Sequence, residues 1–426
     1  MKDRTREPVL ELVCVGTELL DGKPEAHLAA VALRLRAAGL RLARQTVLPD
    51  APSALEEGVR AALGRCDAVL VCGGLGPTFD DLTREAVAAA LGRDLVFQPV
   101  LYAAIRRKFA RLGAKAPREN RRQAFLVRGA RALPNRVGSA PGQMILLRRD
   151  GSPAPQTVAL LPGPPAELVP MLDASVLPHL RRTYGAGRHG AAFCLHLCGL
   201  SESAADERLK PLTARPEPGL DFTILSGLGQ VDFHAFARAG SARQARALLA
   251  RARRRARRLA GAHVFGEDAE TLESAVGGLL RRRRLTLAVA ESCTAGLLAA
   301  RLTCVPGSSR YFRGGVLAYH DQLKRGLLGV RDLTLSGPGA VSAACAREMA
   351  EGARRSAGAE IGLAITGIAG PAGGTARKPV GLVFIGLAGP GPASAARRFL
   401  FPGGREAVRR RAAATALRLL WERLRP

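Results

Sequence analysis

Residues 68–85 read AVLVCGGLGPTFDDLTRE, which is an apolar run, a glycine-rich turn and the start of a helical pattern. Five consecutive apolar residues followed by two glycines are typical of a buried strand that ends in a tight turn. Similar apolar runs at 9–16 and 157–161 also end at Gly or Pro, and helical Ala/Leu/Arg patterns occupy 26–39 and 53–65. This alternation predicts a parallel α/β sheet, with function expected where loops leave the carboxyl ends of the strands.

The 426 residues are enough for two or three domains of about 100 to 200 residues each. The middle of the chain differs from its two ends because it has two strand-like runs (192–199 and 221–236) and two helical runs (201–210 and 241–260). The predicted fold class is α/β: two three-layer α/β domains joined by a small α+β connector domain. The expected boundaries are 1–175, 176–267 and 268–426.

The chain is strongly basic, with a formal net charge of +28. Only seven of its 64 basic residues are lysine, and alanine is abundant, so much of this charge reflects the composition of a GC-rich genome. Arginine runs at 251–258, 281–284 and 409–411 indicate solvated helix faces, with a nucleic-acid patch as the alternative. Aromatic residues at 4% leave few platforms for stacking bases, so nucleic acid is not the expected partner.

The compartment is predicted from the N-terminus and the cysteines. Residues 1–16 are charged before they become strand-like, unlike a signal peptide, and no apolar run reaches the length of about 18 residues that a membrane span requires. The eight cysteines form no CxxC pair, which is typical of reduced thiols. Cys194, His196 and Cys198 alternate along one predicted strand, and without a further nearby ligand this favours packing over metal binding. We therefore expect a cytoplasmic protein without a membrane partner.

The turn at 73–85 is the first candidate site. Glycine lets the backbone approach a phosphate closely, and the carboxylates of Asp80 and Asp81 are suited to a divalent cation. A second turn at 16–22 places Glu18 at the same edge of the sheet. The alternative is a tight turn in which Asp81 caps the following helix.

The second candidate site begins at Ser292, in the sequence Glu291-Ser-Cys-Thr-Ala-Gly296. A hydroxyl at a strand-to-helix turn is exposed above the sheet edge, which suits a nucleophile. The alternative is that Ser292 or Thr294 caps the helix expected at 294–303. The neighbouring Cys293 is interpreted as a buried structural thiol.

A serine nucleophile needs a base, and Lys324 follows the next predicted strand. A desolvated lysine can lose its proton and serve as a base, whereas arginine cannot. Tyr319 is suited to relay or orient that proton. The loop 366–374, TGIAGPAGG, could hold a phosphate or carboxamide through its backbone, but it lacks the GK[ST] ending of an ATP-binding P-loop.

The motifs of the first 175 residues resemble, in order, those of the CinA family: the turns at 16–22 and 73–85, Gly138-Ser-Ala-Pro-Gly142 and Leu161-Pro-Gly-Pro-Pro-Ala-Glu167. The resemblance implies a domain similar to molybdopterin-binding domains, with ADP-ribose pyrophosphatase activity that depends on Mg²⁺ or a similar divalent metal. By position, it implies a phosphate site at Gly73, Gly74, Gly76 and Thr78. The implied metal or acid–base carboxylates are Asp80, Asp81 and Glu18.

The segments around Ser292, Lys324 and the 366–374 loop are similar to the C-terminal domain of CinA proteins, a nicotinamide mononucleotide deamidase that needs no cofactor. The resemblance implies Ser292 as nucleophile, Lys324 as general base and Tyr319 as an assisting hydroxyl. The residues implied to hold the nucleotide are Thr294, Thr366, Gly367, Gly370, Gly373, Gly374, Arg405 and Arg409. Resemblance to the full-length family also implies a homodimer.

The sequence departs from the family pattern in both domains. The loop 23–27, KPEAH, has His27 where an asparagine is usual, which puts the pyrophosphatase activity in doubt. The C-terminal departures are Ala295 in place of a glycine, the pair His320-Asp321, Pro338 and Gly404. Two alternatives remain: an N-terminal domain that binds a pterin or nucleotide without hydrolysing it, and a competence-linked, nucleic-acid-associated factor.

Overall fold

A computed structural model of the protein describes residues 7–149, 154–185, 188–227, 229–389 and 394–425. Residues 1–6, which begin the stretch examined for a signal peptide, lie outside this description. The chain forms two compact units: residues 1–192 with 217–221 and 236–251, and residues 193–216 with 222–235 and 252–426. Among the described helices, none has the length and apolar content needed to cross a membrane.

Within its described residues, the N-terminal domain has eight strands and seven α-helices. The strands are β1 (Leu10–Val15), β2 (Leu42–Leu48), β3 (Ala68–Cys72), β4 (Leu95–Phe97), β5 (Phe125–Val127), β6 (Arg131–Leu133), β7 (Gly142–Leu147) and β8 (Gln156–Leu161). The helices are α1 (Thr17–Leu20), α2 (His27–Ala37), α3 (Pro52–Arg65), α4 (Thr83–Ala90), α5 (Pro99–Arg111), α6 (Pro165–Met171) and α7 (Leu177–Tyr184).

Six of these strands form one sheet in the order β2-β1-β3-β8-β7-β6, with β4 and β5 paired separately. The apolar strands β1, β3 and β8 are buried along their whole length, as the apolar runs predicted. Helices α2, α6 and α7 pack on one face, and α3 and α4 pack on the other. The domain is therefore the three-layer α/β structure that was expected.

The sheet is mixed, whereas the sequence analysis predicted a parallel one. Strands β2, β1, β3 and β8 are parallel, but β7 is antiparallel to β8 and β6 is antiparallel to β7. Only residues 148–155 separate β7 from β8. So short a connection joins antiparallel neighbours, because a parallel crossover needs about a dozen residues or more.

The connector has the expected α+β composition. Its elements are β9 (His189–Cys198), α8 (Glu202–Thr213), β10 (Leu220–Ser226), β11 (Gln230–Ala239), α9 (Ala242–Ala260) and β12 (Val264–Glu267), with strand order β10-β11-β9-β12. The single strand-like run expected at 221–236 is two strands. A turn separates them because Gly227 N–H donates to Gln230 O at 3.0 Å and Gly229 adopts a φ of +90°.

In the part of the C-terminal domain that the structure describes, there are six α-helices and five strands. The helices are α10 (Leu272–Arg283), α11 (Leu297–Thr303), α12 (Asp321–Leu328), α13 (Asp332–Ser336), α14 (Ala343–Ser356) and α15 (Arg405–Leu424). The strands are β13 (Leu287–Glu291), β14 (Phe312–Leu317), β15 (Ile361–Gly367), β16 (Leu382–Ala388) and β17 (Ala395–Leu400), in the sheet order β14-β13-β15-β16-β17.

The parallel strands of this sheet are β14, β13 and β15, and β16 and β17 continue it in antiparallel pairs. Helices α10, α11 and α15 contribute to the apolar core on one face, and α14 contributes to the core on the other. This is the second predicted three-layer α/β domain. The loops after β14, β13 and β15 consequently leave the same edge of the sheet.

Glu11, the one charged residue in the apolar run of β1, is fully buried. Arg65 donates to its carboxylate from Nε at 2.8 Å and Nη2 at 2.6 Å, and Thr46 Oγ1 donates at 2.7 Å. Burial alone would raise the pKa of Glu11, but the hydrogen bonds from Arg65, Thr46 and Cys66 outweigh it and lower the pKa below the ordinary 4.5. The ionised carboxylate therefore stabilises the folded state.

We expect the variant Arg65→Met to lose about 2 kcal/mol of unfolding free energy at pH 7, because it leaves a buried carboxylate without its cation. Since the folded pKa of Glu11 is lowered, its contribution is complete above pH 4.5 and falls as the pH drops through the folded pKa. The difference in unfolding free energy between the parent and the variant should become smaller as the pH is lowered. Urea unfolding followed by circular dichroism at several pH values measures it, and a pH-independent difference would contradict this role for Glu11.

Candidate active sites

A cavity of about 600 Å³ opens at the carboxyl ends of β1 and β3. Every N-terminal residue predicted for the phosphate and metal sites lines it: Glu18, Gly73, Gly74, Gly76, Thr78, Asp80 and Asp81. The sequence prediction did not include Lys23, His27 and Glu167, which also line this cavity. The structure thus gathers the two predicted turns around one space.

The first two glycines of the loop are required by the surrounding fold. Gly73 has a φ of +105°, and a Cβ there would overlap the carbonyl oxygen of Val15 in β1. Gly74 has a φ of +63°, and a Cβ there would overlap the hydroxyl of Thr83 at the start of α4. These residues hold the loop tightly against the sheet edge, so that its backbone forms a wall of the cavity.

The two aspartates of the loop differ in their surroundings. The carboxylate of Asp81 accepts hydrogen bonds from the backbone N–H groups of Gly76 at 2.8 Å and Thr78 at 2.9 Å, and from the Thr78 hydroxyl. Helix α4 instead begins after Leu82 and has no side-chain cap, so the alternative in which Asp81 caps it is wrong. Asp81 closes the loop, whereas Asp80 is exposed at the cavity.

Glu18 pairs with Lys23, whose Nζ lies 3.1 Å from Oε1. The hydrogen bond from Lys23 is the main reason that the pKa of Glu18 is lowered, and the negative charge of Asp80 opposes this effect. Both carboxylates are therefore close enough to interact electrostatically. An oxygen-only pair of this kind fits a hard divalent cation such as Mg²⁺, which keeps several water ligands in proteins.

His27, which stands where the family pattern has an asparagine, is buried. Its Nε2 lies 2.5 Å from the carbonyl oxygen of Gly163, and its Nδ1 lies 2.6 Å from Glu25. The Glu25 carboxylate also accepts from Gln45 Nε2 at 2.9 Å. Gly163 lies more than 130 residues from His27 in the chain, so no local pattern shows this contact of the ring.

In the C-terminal domain, Ser292 directly follows β13. Its N–H donates to Ile365 O of β15 at 3.0 Å, and Ala318 N–H, just beyond β14, donates to Glu291 O at 2.8 Å. Ser292 therefore lies between the ends of two parallel neighbours. Its side chain is mostly covered, with 8% of the residue exposed.

Lys324 is 2% exposed on the first turn of α12, which follows β14. Its Nζ donates to the carbonyl oxygen of Tyr319 at 3.2 Å and to Asp321 Oδ1 at 3.1 Å. The Tyr319 side chain is 60% exposed, and its hydroxyl accepts from Arg405 Nη2 at 3.1 Å. Tyr319 thus contacts the lysine through its backbone and the arginine through its hydroxyl.

The predicted nucleotide-binding residues form a connected group. Arg405 donates to Gly370 O at 2.9 Å, Arg409 donates to Thr294 O at 3.0 Å, and Thr366 Oγ1 donates to Ala340 O at 2.8 Å. The structure places Gly367 at the end of β15 and Gly373 and Gly374 in the loop that follows it. The Thr294 hydroxyl is buried without a hydrogen-bond partner. A buried hydroxyl of this kind is suited to a ligand.

Glu291 is a functional-site residue that the sequence analysis did not single out. Its fully buried carboxylate accepts from the N–H groups of Gly296 at 3.1 Å, Leu298 at 3.1 Å and Ala299 at 2.8 Å. The alternative in which Ser292 or Thr294 caps the helix is therefore wrong, and α11 begins only at Leu297. A carboxylate that ends an otherwise apolar strand was the signal available in the sequence.

Ala295, one of the departures from the family pattern, adopts a φ of +48°. The left-handed region costs a residue with a Cβ about 1 to 2 kcal/mol. Ala295 therefore introduces local backbone strain into the turn that contains Ser292.

We expect Ala295→Gly to raise the unfolding free energy by about 0.5–1 kcal/mol, since relief of this strain exceeds the greater freedom of glycine in the unfolded chain. Urea unfolding followed by fluorescence of Trp421, the only tryptophan, measures the C-terminal domain. The matched control Ala299→Gly, inside α11, should lower the unfolding free energy by about 1 kcal/mol. Equal losses in both variants would contradict strain at Ala295.

Three regions of the chain match described protein domains. Residues 11–182 match a probable molybdopterin binding domain, residues 194–266 the damage-inducible protein CinA KH domain, and residues 269–424 the CinA C-terminal domain. These ranges cover nearly all described residues.

Full-length relatives are also found. A protein of Moorella thermoacetica that carries the name competence-damage inducible protein is 43% identical over 97% of this chain and 98% of its own length. A CinA-like protein of Koribacter versatilis is 41% identical over 98% of this chain and 100% of its own. Among solved structures, competence/damage inducible protein CihA from Agrobacterium tumefaciens is 38% identical, with 35% of this chain and 91% of that chain covered and a TM-score of 0.34.

Proposed function

The chain belongs to the CinA family, and from this premise we propose that it hydrolyses the carboxamide of nicotinamide mononucleotide to nicotinic acid mononucleotide and ammonia, a step of pyridine nucleotide salvage. The observation that carries the proposal is the buried Lys324 amine on the helix after β14, the neighbour of β13, which Ser292 directly follows. Because Glu291 caps α11, the Ser292 hydroxyl is not used for capping. A hydroxyl and an amine at adjacent strand ends suit a serine–lysine amidohydrolase.

In the proposed reaction, Ser292 Oγ attacks the carboxamide carbon while Lys324 Nζ, as the general base, takes the hydroxyl proton. The C–N bond then breaks, and the same proton passes from Lys324 to the leaving nitrogen, which departs as ammonia. Water next attacks the ester and gives its proton to Lys324. Breakage of the ester C–O bond releases nicotinic acid mononucleotide, and the proton returns to Ser292.

The surrounding residues would position the substrate. Arg405 and Arg409 present guanidinium groups suited to a phosphate. Their contacts with Gly370 and Thr294 connect helix α15 to the loop after β15 and to the turn after β13. The unpartnered Thr294 hydroxyl would hydrogen-bond the bound nucleotide. Tyr319, linked to Arg405, would orient that arginine as well as assist the lysine.

The test is a product assay with purified full-length protein. Nicotinamide mononucleotide should give ammonia and nicotinic acid mononucleotide in equal amounts. Nicotinamide riboside, which lacks the phosphate, should react about 100-fold less efficiently, because binding energy from the phosphate is used at the reacting carboxamide. Equal turnover of both compounds, or none of either, would contradict the proposal.

We further propose a divalent-metal-dependent ADP-ribose pyrophosphatase in the N-terminal domain. The cavity supports it because Glu18 and Asp80 offer oxygen ligands beside a loop of closely packed glycines. These two carboxylates would hold the metal, which when bound neutralises charge on the pyrophosphate. Asp81 would keep the loop closed around Gly76 and Thr78.

We expect Asp80→Asn to lower Mg²⁺-dependent ADP-ribose hydrolysis by about 100-fold through loss of a metal ligand. Asp21→Asn is the matched control, because Asp21 is an exposed carboxylate of the neighbouring turn outside the cavity lining. Release of AMP and ribose phosphate is the readout. If the parent binds ADP-ribose but releases no product, the domain is a nucleotide-binding one, as in the alternative considered above.

Small nucleotides rather than nucleic acid are the proposed partners. Arginines of the basic helix α9 pair with carboxylates: Arg251 with Glu217 at 2.6 Å, and Arg253 with Asp268 at 3.3 Å. Paired arginines contribute less to phosphate binding, which supports the interpretation of a solvated helix face. We propose in addition that the protein acts in the cytoplasm as a homodimer.

A further inference from the structure

Four potential metal ligands lie on two neighbouring strands of the connector. Cys194 and His196 alternate on β9, and Asp232 and His234 alternate on β11, its neighbour in the sheet. Residues two apart on a strand point to the same face. The alternation of Cys194 and His196 is visible in the sequence, but their partners are not, because β11 lies more than 30 residues away in the chain.

The ligand atoms of three of these residues lie close together, and His234 contacts the thiol. Cys194 Sγ lies 3.7 Å from His196 Nδ1 and 3.8 Å from His234 Nε2, and His196 Nδ1 lies 2.7 Å from Asp232 Oδ1. Ligand atoms of Cys194, His196 and Asp232 are all within 4.8 Å of one another. In a tetrahedral zinc site the ligand atoms lie about 3.5 Å apart, given Zn–S and Zn–N bonds of about 2.3 and 2.0 Å.

The surrounding hydrogen bonds match those of a metal centre. His196 Nε2 lies 2.9 Å from the carbonyl oxygen of Asp268, to which it donates. This contact turns Nδ1 towards Cys194 and Asp232. Gln230 Nε2 donates to Asp232 at 3.0 Å and orients the carboxylate. Metal-bound histidines usually donate their other nitrogen to a carbonyl or carboxylate in this way.

The simplest competing explanation is an ion pair between protonated His196 and Asp232. A neutral histidine that donates from Nε2 has only a lone pair at Nδ1, so the 2.7 Å contact with Asp232 requires either a second proton or a cation. The ion pair gives no reason for a buried cysteine and a second histidine at the same place. A thiol, two imidazoles and a carboxylate are together a typical zinc ligand set.

We propose that Cys194, His196 and Asp232 bind one Zn²⁺ ion that links β9 to β11, and that His234, 3.8 Å from the thiol, turns in as the fourth ligand. With four protein ligands the site is closed, so its role is structural. It is separate from both candidate active sites, since its ligands come from the connector alone. Cys198, the third residue of the alternating set, packs instead in an apolar core with Phe265 and Trp421.

The test replaces zinc with Co²⁺ in the full-length, chelator-treated protein. One equivalent of Co²⁺ should give strong visible bands of a four-coordinate ion and a thiolate-to-cobalt charge-transfer band. Cys194→Ser should abolish the charge-transfer band, and Asp232→Asn should weaken Co²⁺ binding about 10- to 100-fold. Cys304→Ser, which removes an exposed thiol elsewhere, should change neither.

A second buried group, Cys14 with Glu25 and His27, provides the decisive comparison because it also contains a thiol. The charge-transfer band should persist in Cys14→Ser. A band that is lost in Cys14→Ser and kept in Cys194→Ser would overturn the proposal, as would a folded parent protein that gives no such band. If Cys194→Ser does not fold, Asp232→Asn decides: unchanged Co²⁺ affinity and spectrum would overturn the site.

Discussion

Replacing Ser292 with alanine is expected to lower turnover of nicotinamide mononucleotide by at least about 10³-fold, because no nucleophile remains to form the covalent intermediate. The variant should fold, since the Ser292 side chain caps no helix and the turn is held by Glu291. Ammonia release under saturating substrate measures the loss. Ser336→Ala, which removes an exposed hydroxyl from α13 of the same domain, is the matched control and should keep full activity.

The neighbouring thiol is the rival nucleophile in that experiment. Burial raises the pKa of Cys293 to about 11, so very little thiolate exists at neutral pH. Cys293→Ala should therefore retain activity. Loss of activity in Cys293→Ala together with retention in Ser292→Ala would assign the reaction to the cysteine.

Lys324 should show a loss of about 10²- to 10⁴-fold when replaced by methionine, which fills similar space but accepts no proton. Lys324→Arg keeps the charge and should be equally inactive, because arginine does not give up its proton. Activity in the arginine variant would mean that Lys324 acts as a fixed charge. Thermal unfolding of each variant shows whether the buried side chain at this position has disturbed the fold.

Glu291→Ala is expected to destabilise the C-terminal domain by about 3–5 kcal/mol. The substitution leaves the N–H groups of Gly296, Leu298 and Ala299 without their acceptor in a buried place. Each unsatisfied buried donor costs about 1 to 3 kcal/mol, partly relieved by local rearrangement or water. Trp421 lies in the same apolar core as β13, so its fluorescence during urea unfolding reports this domain.

Glu291→Gln is the matched control, since its amide oxygen accepts some of these hydrogen bonds. We expect this variant to lose about 1–2 kcal/mol of unfolding free energy and to keep more activity than the alanine variant. A Glu291→Ala effect within about 0.5 kcal/mol of the parent, as at an ordinary surface position, would contradict the capping role.

Local patterning explains why the sheets could be predicted from the sequence. The runs at 68–72 and 158–161 are wholly apolar and are followed by Gly or Pro, so burial and strand ends follow from nearby residues. The direction of β7 could not be predicted in this way. It depends on the pairing partner of β7 across a short connection, and the residue pattern does not identify that partner.

The assembly of the second site depends on strand order. Strand β13 lies between β14 and β15, so the loops that carry Ser292, Lys324 and Thr366 leave one edge of the sheet. Each of these segments can be predicted from the sequence as a strand followed by a turn. The hydrophobic periodicity of the sequence does not show which strands are neighbours in the sheet. At the level of sequence, only the resemblance to the CinA family groups these segments.

Long-range partners could not be predicted for the same reason. Gly163 contacts the ring of His27, and Asp232 of β11 lies beside Cys194 and His196, but neither partner is near in the sequence. Asp81 and Glu291 illustrate the opposite case, since their partners are within ten residues. Helix caps are expected on Ser, Thr or Asp at the turn, so Glu291 at the end of the strand was not predicted as a cap.

The most direct test of the account is to identify the covalent intermediate by mass spectrometry. Full-length protein would be quenched in acid during turnover of nicotinamide mononucleotide and digested. The account predicts an ester of the nucleotide's acyl group on the peptide that contains Ser292, absent in Ser292→Ala along with ammonia release. An adduct on Cys293, or undiminished ammonia release by a folded Ser292→Ala variant, would contradict it.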